Sequence, residues 1–252
     1  MTKKYAASLD KFRAFMYDLG KPSNHKGIKD GTRVMHMRKK KNRDARLGKV
    51  EGYFASTGEN GELLPEESFD SPGPLYLEIG CGKGSFITAL ALRTEGKRLL
   101  AVERITDALL MAMEKCAAAD CKNLKFLNAD AGLLPQILPP HSVERLYLNF
   151  SDPWPKNKDR ERRLTSRTFL AKYKEILAPN ARICFKTDNR PLFDFSLRCF
   201  EEEGFALEHV SYDLHGNPPT DSPEAYDIET EYERKFSAKG FSINYLEAYL
   251  PQ

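Results

Sequence analysis

The sequence predicts an α/β fold: a mostly parallel, twisted sheet with helices on both faces and an antiparallel strand pair at one edge. Three observations carry this. From Leu75 onward, short apolar runs alternate with amphipathic helical patterns. The first run opens directly into a glycine-rich turn, Gly80-Cys-Gly-Lys-Gly84. The last apolar segment, 243–249, alternates in polarity and follows the run at 206–212 without a clear helix between them, so those two are expected to pair antiparallel.

In chain order, an amphipathic helix is expected from Tyr5 to Leu19, ended by Gly20 and Pro22. Residues 21–46 are basic and poor in large apolar side chains, and read as mobile until a partner binds. The stretch from Thr57 to Pro74, rich in Gly, Pro, Ser and acids, reads as a linker or surface loop. Strands are expected at 75–79, 98–103, 124–128, 143–149, 181–187 and 206–212, and helices at 84–94, 106–119, 165–177 and 191–203. With 252 residues, this is one large α/β domain (51–252) preceded by a basic extension of helix plus arm (1–50).

The net charge of +3 conceals a division. Residues 1–50 hold 15 Lys+Arg and 4 Asp+Glu, a net of +11, and the remainder carries a net of −8. Within that acidic body, residues 156–174 hold 8 basic and 2 acidic side chains. Segregated cations suit a polyanion partner, because phosphates bind Lys and Arg with counterion release. A solvated basic tail is the plainer reading of the arm alone; the second cluster tips the balance to nucleic acid. No apolar run is long enough to span a bilayer, and no apolar signal segment opens the chain. Five cysteines without CxxC spacing fit a reducing cytoplasm and offer no zinc framework. His141, His209 and His215 read as isolated, and no metal cluster is expected. The sequence does not distinguish monomer from homodimer.

The run Leu75-Tyr-Leu-Glu-Ile followed by Gly80, Gly82 and Gly84 is a strand, a tight turn and a helix start, where backbone can approach a ligand closely. Alone it is only moderately specific. Glu103 ends the second strand and suits both hydroxyls of a ribose. Asp130, followed by Ala131, ends the third strand and suits an adenine amino group. Singly, each acid is a plausible cap; together, at successive strand ends, they point to a nucleoside cofactor. NAD and S-adenosylmethionine both meet these demands. Glu78, just before the loop, would oppose a pyrophosphate and favour a cation, which decides for S-adenosylmethionine and a Rossmann-like methyltransferase domain.

Residues 149–156, Asn-Phe-Ser-Asp-Pro-Trp-Pro-Lys, are the most informative run. Two prolines stiffen the loop around the chain's only tryptophan, with Asp152 and Lys156 at fixed places beside it. Carboxylate, cation and aromatic platform suit a nucleobase and its phosphate. Lys156, Lys158, Arg160, Arg162 and Arg163 then form a basic loop suited to RNA phosphates, or else a solvated start to the next helix. Asp188 follows the fifth strand and either orients a base or caps helix 191–203.

The motifs Glu78-Ile-Gly-Cys-Gly-Lys-Gly, Val102-Glu103, Asp130-Ala131, Phe150-Ser-Asp-Pro-Trp-Pro-Lys156, Arg162-Arg-Leu164, Thr187-Asp188 and Thr230-Glu-Tyr-Glu233 occur in this order. Over roughly residues 33 to 250 the chain resembles the bacterial tRNA (guanine-N7-)-methyltransferases, class I S-adenosylmethionine-dependent enzymes. The resemblance implies methyl transfer to N7 of guanine at position 46 in the tRNA variable loop. It further implies Glu78, Gly80, Gly82, Glu103, Asp130, Ala131 and Asp152 at the cofactor, with Asp152 also catalytic. Lys156, Asp188, Thr230, Glu231, Tyr232 and Glu233 would meet the RNA. Two positions depart from the pattern: Asp159 stands where many members have His, and Glu231-Tyr232 replaces a frequent Lys-Phe. Glu231 reverses a charge, which would weaken a phosphate contact there.

Guanine N7 carries a lone pair and no proton, so attack on a sulfonium methyl needs no general base. Asp152 would act either by opposing positive charge as it develops on the ring or by accepting from guanine N1–H and the 2-amino group. Two rivals stand beside this reading: a methyltransferase acting on an exocyclic amine, and a non-catalytic RNA-binding protein retaining the fold.

Overall fold

The computed structural model describes residues 42–220 and 224–251. The expected helix at Tyr5–Leu19 and most of the basic arm lie outside the described residues. Seven strands form one sheet: β1 Leu75–Ile79, β2 Arg98–Val102, β3 Leu124–Leu127, β4 Val143–Asn149, β5 Leu177–Thr187, β6 Ala206–Ser211 and β7 Asn244–Tyr249. Their order is β3-β2-β1-β4-β5-β7-β6. β1 to β5 run parallel, and β7 is antiparallel to both β5 and β6. The expected antiparallel pair is present, with β6 forming the outer edge.

The central strands read as near-continuous apolar runs because both faces are covered. On one face, Leu75, Leu77 and Ile79 of β1 join Leu170, Tyr173 and Ile176 of a helix at Arg167–Ile176 and Leu192, Phe193 and Phe200 of a helix at Arg190–Glu202. On the other, Tyr76 joins Phe86, Ile87 and Leu90 of α3 (Ser85–Arg93) and Leu109, Leu110 and Met113 of α4 (Thr106–Ala118). Among the described residues no helix is long and apolar enough to cross a membrane.

The topology fixes where chemistry can occur. The chain leaves β1 for β2 and β3 on one side, then returns to place β4 on the other, with Ile79 opposite Leu148. Strand order reverses between β1 and β4, and in such sheets a crevice opens beyond the carboxyl ends at that point.

Three expectations need correction. Residues 43–46, read as part of a mobile arm, lie in α1 (Arg43–Lys49), which precedes α2 (Pro65–Ser68). Leu47 and Val50 bury against the body, and Arg46 makes two hydrogen bonds to Glu114, at 2.6 and 2.7 Å. Two apolar anchors and one bidentate ion pair dock the helix despite its basic setting. The segment 57–74 is no free linker: Leu63 and Phe69 are buried, and the Leu63 amide donates to the Ile137 carbonyl. A helix also interrupts the stretch between β6 and β7, at Glu231–Ser237. Its start is a Thr-x-x-Glu capping box, a helix signature within the motif Thr230–Glu233.

Candidate active site

Gly80, Gly82 and Gly84 all adopt left-handed backbone, at φ 76°, 55° and 74°. They do different work. A Cβ on Gly80 or Gly82 would meet nothing within 4 Å, so the outer side of the loop is open. A Cβ on Gly84 would stand 2.7 Å from the Ala112 Cβ, so Gly84 lets α3 close on α4. The Glu103 carboxylate accepts from the Gly82 amide (3.1 Å) and the Ile105 amide (2.8 Å), which seats it against the glycine loop. Asp130 is exposed and accepts from the Gly132 amide at 2.8 Å; Ala131, half-buried, lies within that turn.

Glu78 is buried at the end of β1. One oxygen accepts from Asn149 Nδ2 at 2.9 Å, across the β1/β4 switch point. The other, Oε2, has no hydrogen-bond partner. Burial pushes its pKa up to about 7; the Asn149 amide opposes this, the Glu103 charge adds to it, and the Ile87 backbone pulls weakly the other way. A buried carboxyl with an idle oxygen, beside an open glycine cradle, suits a cationic nucleoside ligand.

The Trp loop follows β4. Phe150 and Trp154 hold left-handed backbone, φ 51° and 41°, uncommon for aromatic residues. Tertiary bonds hold this shape. The Phe150 amide donates to the Lys186 carbonyl (2.9 Å). Arg163 donates to the Pro153 and Trp154 carbonyls (2.9 and 3.0 Å), with its guanidinium 4.2 Å from the Phe195 ring centroid. Arg163 was expected among the phosphate contacts; instead its donors are engaged in fixing the loop. Arg162 lies 3.6 Å over the Trp154 ring and 3.8 Å from Asp159, and Arg160 pairs with Glu161. Asp159, a departure from the family pattern, thus helps hold Arg162 over the tryptophan. Lys156 and Lys158 are exposed. Asp152 is exposed and makes no hydrogen bond or ion pair among the described residues.

On the β5 side, Asn189 and not Asp188 caps the helix at Arg190–Glu202, by accepting from the Leu192 amide. Asp188 accepts from the Tyr232 hydroxyl at 3.1 Å. Burial, then the Asp188 charge, pushes the Tyr232 phenol up to about 12. Tyr232 is 42% exposed, with its ring 5.1 Å from that of Phe150. Its neighbours in the motif serve the fold. Thr230 Oγ1 accepts from the Glu233 amide (2.9 Å), and the Glu233 carboxylate accepts from the Thr230 amide (3.2 Å). Glu233 is fully buried, 3.4 Å from Lys186 Nζ and 3.3 Å from His215 Nε2. Thr230 and Glu233, expected to meet the RNA, also build and dock the helix that presents Tyr232. Glu231 faces the glycine loop and the helix that follows it, accepting from Ser85 Oγ (2.8 Å) and Lys115 Nζ (2.6 Å), with Lys83 at 3.8 Å. These donors, Lys115 first, lower its pKa.

Sequence reasoning missed Lys186. Buried in β5, it donates to the Tyr226 carbonyl (2.5 Å), the Ile228 carbonyl (3.1 Å) and Glu233. Burial lowers its pKa against the pull of Glu233. The signal was a lone cation inside the apolar run Ile-Cys-Phe-Lys186. It also missed that β6 and β7 bring Glu208, His209 and Glu247 together, their ligand atoms within 4.8 Å. Arg182 already donates to Glu208 and stands 3.5 Å from Glu247, so these acids are balanced by a guanidinium.

A mostly parallel sheet with this strand order, a glycine cradle after β1 and an acid after β2 defines a Rossmann-like methyltransferase. Solved structures of similar fold include a 16S rRNA methyltransferase, KamB (TM-score 0.55, 17% identity, 74% of this chain and 92% of that one), and an antibiotic-related methyltransferase (TM-score 0.51, 13% identity, 84% and 95%). Residues 72–246 match a family model described as "Putative methyltransferase". Three tRNA (guanine-N(7)-)-methyltransferases narrow the class. That of Lachnoclostridium phytofermentans is 43% identical over 73% of this chain and 84% of its own length. That of Listeria monocytogenes is 41% identical over 81% and 92%, and that of Streptococcus agalactiae 40% over 85% and 99%. The chain belongs to the tRNA (guanine-N(7)-)-methyltransferase family.

Proposed function

We propose that this protein transfers the methyl group of S-adenosylmethionine to N7 of guanine 46 in the variable loop of tRNA, acting on cytoplasmic tRNA. The observation that carries the reading is a juxtaposition at the β1/β4 switch point. A buried Glu78 with an idle oxygen adjoins an open glycine cradle, and the neighbouring strand delivers an exposed Asp152, without a partner among the described residues, on a rigid aromatic loop.

S-Adenosylmethionine, when bound, supplies an electrophilic methyl group. This chain's residues would do the rest. Gly80 and Gly82 leave room for close backbone approach, and Glu78 faces positive charge. Glu103, now bonded to two backbone amides, would accept from ribose hydroxyls, and Asp130 beside Ala131 would accept from the adenine amino group. Asp152 would stand beside the guanine, where a carboxylate counters the charge the ring gains; no residue has to remove a proton from N7. Alignment of two bound reactants alone can lower a barrier by roughly 7–11 kcal/mol. Lys156, Asp188 and Tyr232 line the RNA side, and Lys158, Arg160 and Arg162 offer phosphate contacts.

The test is incubation with unmodified tRNA and labelled methyl donor, followed by nucleoside analysis and borohydride/aniline cleavage. N7-methylguanosine and cleavage at position 46 are expected. A methylated exocyclic amine, resistant to that cleavage, would replace this reading with its rival; no incorporation would leave an RNA-binding protein.

A further inference from the structure

Four aromatic rings make successive contacts from the Trp loop outward. Phe150 meets Tyr232 at 5.1 Å, Tyr232 stacks on Phe236 at 4.1 Å and 18°, and Phe236 meets Phe241 edge-on at 5.6 Å. The series starts two residues before Asp152. It ends on Phe241, which is 52% exposed. Three cations belong to the same segment. Arg234, Lys235 and Lys239 are exposed and make no ion pair among the described residues, and the Lys239 ammonium stands 5.2 Å from the Phe236 ring. The segment leads into β7, whose first residue, Asn244, pairs with Thr187, next to Asp188. The series therefore lies at the same sheet edge as the site.

Support for the fold explains only its inner part. Tyr232 and Phe236 are four residues apart on one helix face, and their stack stabilises that helix. Phe241 follows a Gly240 turn (φ 82°) and closes the end of that helix, its amide donating to the Phe236 carbonyl at 3.2 Å, yet half of its ring stands in water, while Ile243, two residues on, is fully buried. A phenylalanine held half in water beside unpaired cations, on a body of net negative charge, has the chemistry of a single-strand platform: a ring for a base and ammonium groups for its phosphates.

We infer that Phe241, with Lys239 and Lys235, forms a second RNA subsite that stacks an unpaired nucleotide next to the target guanine. The subsite rests on the proposed methylation of tRNA, and deepens it by naming what holds the splayed loop open. Stacking of one base contributes roughly 1–3 kcal/mol by alanine substitution, so loss of the ring reads as about fivefold to 150-fold.

The experiment compares the full-length wild type with Phe241→Leu, Phe241→Trp and the double variant Lys235→Ala/Lys239→Ala. Measured are the Kd for unmodified tRNA across a salt series, KM and kcat for tRNA, the Kd for S-adenosylmethionine, and Tm. Phe241→Leu is expected to raise the tRNA Kd and KM about tenfold with kcat, cofactor Kd and Tm unchanged. Phe241→Trp should match the wild type, and the double variant should lower the salt slope by about 2. Wild-type tRNA affinity in both Phe241→Leu and the double variant, with methylation intact, would overturn the subsite and leave the proposed function standing. A Phe241→Leu protein that loses Tm and cofactor binding together with tRNA affinity would make the ring structural and overturn it as well. Failure of the wild type to methylate tRNA at all would instead strike the proposed function.

Discussion

On the β1–β2 side of the crevice, the polar groups are already seated; on the β4–β5 side, most of them stand in water. Glu103 is held by two backbone amides, Asp130 by a third and Glu78 by Asn149. Across the switch point, Asp152, Lys158 and Tyr232 are exposed, and Arg162 lies flat on an aromatic ring. The first side is suited to a small ligand of fixed shape, which rewards preorganisation. The second is suited to a large, hydrated polyanion, which long-range charge can draw in. Rigidity is not absent from the β4–β5 side; it sits one layer beneath the surface, in Lys186, Arg163 and the Thr230/Glu233 capping box.

That hidden layer is where the contrast is most easily broken. Lys186→Met removes the cation that ties Tyr226, Ile228 and Glu233 together, and leaves a fully buried carboxylate beside the His215 ring. Breaking a buried pair from one side costs about 3–5 kcal/mol. Denaturant unfolding should show a loss of that order, together with a large rise in KM for tRNA as Tyr232 loses its mount. A loss below about 1 kcal/mol would mean that the ammonium does not hold the segment.

Asp152→Asn probes the exposed side directly. If the charge opposes positive charge on the guanine, kcat should fall on the order of 10²–10³-fold, the scale seen when one electrostatic stabiliser is removed. Stability should not move, since Asp152 makes no hydrogen bond or ion pair among the described residues. A change confined to KM, with kcat retained, would assign Asp152 to guanine recognition instead.

Glu78 tests the seated side through pH. Its folded pKa of about 7 lies above the ordinary value of 4.5, so the folded state keeps a proton that the unfolded chain gives up. Stability from this group is full below about pH 4.5 and is lost as pH rises through 7, a difference of about 3 kcal/mol at 1.36 kcal/mol per unit. Glu78→Gln should abolish that fall and leave the ligand-free protein more stable at pH 8 than the wild type, as read by denaturant midpoints at pH 5 and 8. The same substitution should weaken binding of the cationic cofactor above pH 7, where the wild-type carboxylate is charged.

Much of this architecture was legible because strand ends are legible. Apolar runs of five to seven residues located every parallel strand, and Gly80, Glu103, Asp130 and Asp152 stood at their carboxyl ends, which the sheet order then brought to one edge. What stayed hidden were residues whose type fits two tasks. Thr230 and Glu233 read as substrate contacts because they sit in a motif, yet Thr-x-x-Glu is also a helix start, and the fully buried Glu233 closes that capping box. Arg163 read as a phosphate ligand like Arg162, one position away; only tertiary geometry turns one guanidinium to carbonyls and the other to a ring. Leu47 and Val50 were masked by the basic residues around them.

The two kinds of cation on the RNA side give the finest test of the contrast. Lys158 is exposed and unpaired among the described residues, so Lys158→Ala should weaken tRNA binding modestly and lower the slope of log K against log salt by about one. Arg163→Ala removes two hydrogen bonds to loop carbonyls and a stacked ring, not a surface charge. Hydrogen bonds from a charged donor contribute about 1.5–3 kcal/mol each when their acceptors lack other partners. The Pro153 and Trp154 carbonyls can be rehydrated, so a loss toward the lower end is expected. Arg163→Ala should therefore lower kcat and Tm while leaving the salt slope within error of the wild type. A drop in slope equal to that of Lys158→Ala would place Arg163 on the phosphates and remove it from the scaffold of the Trp loop.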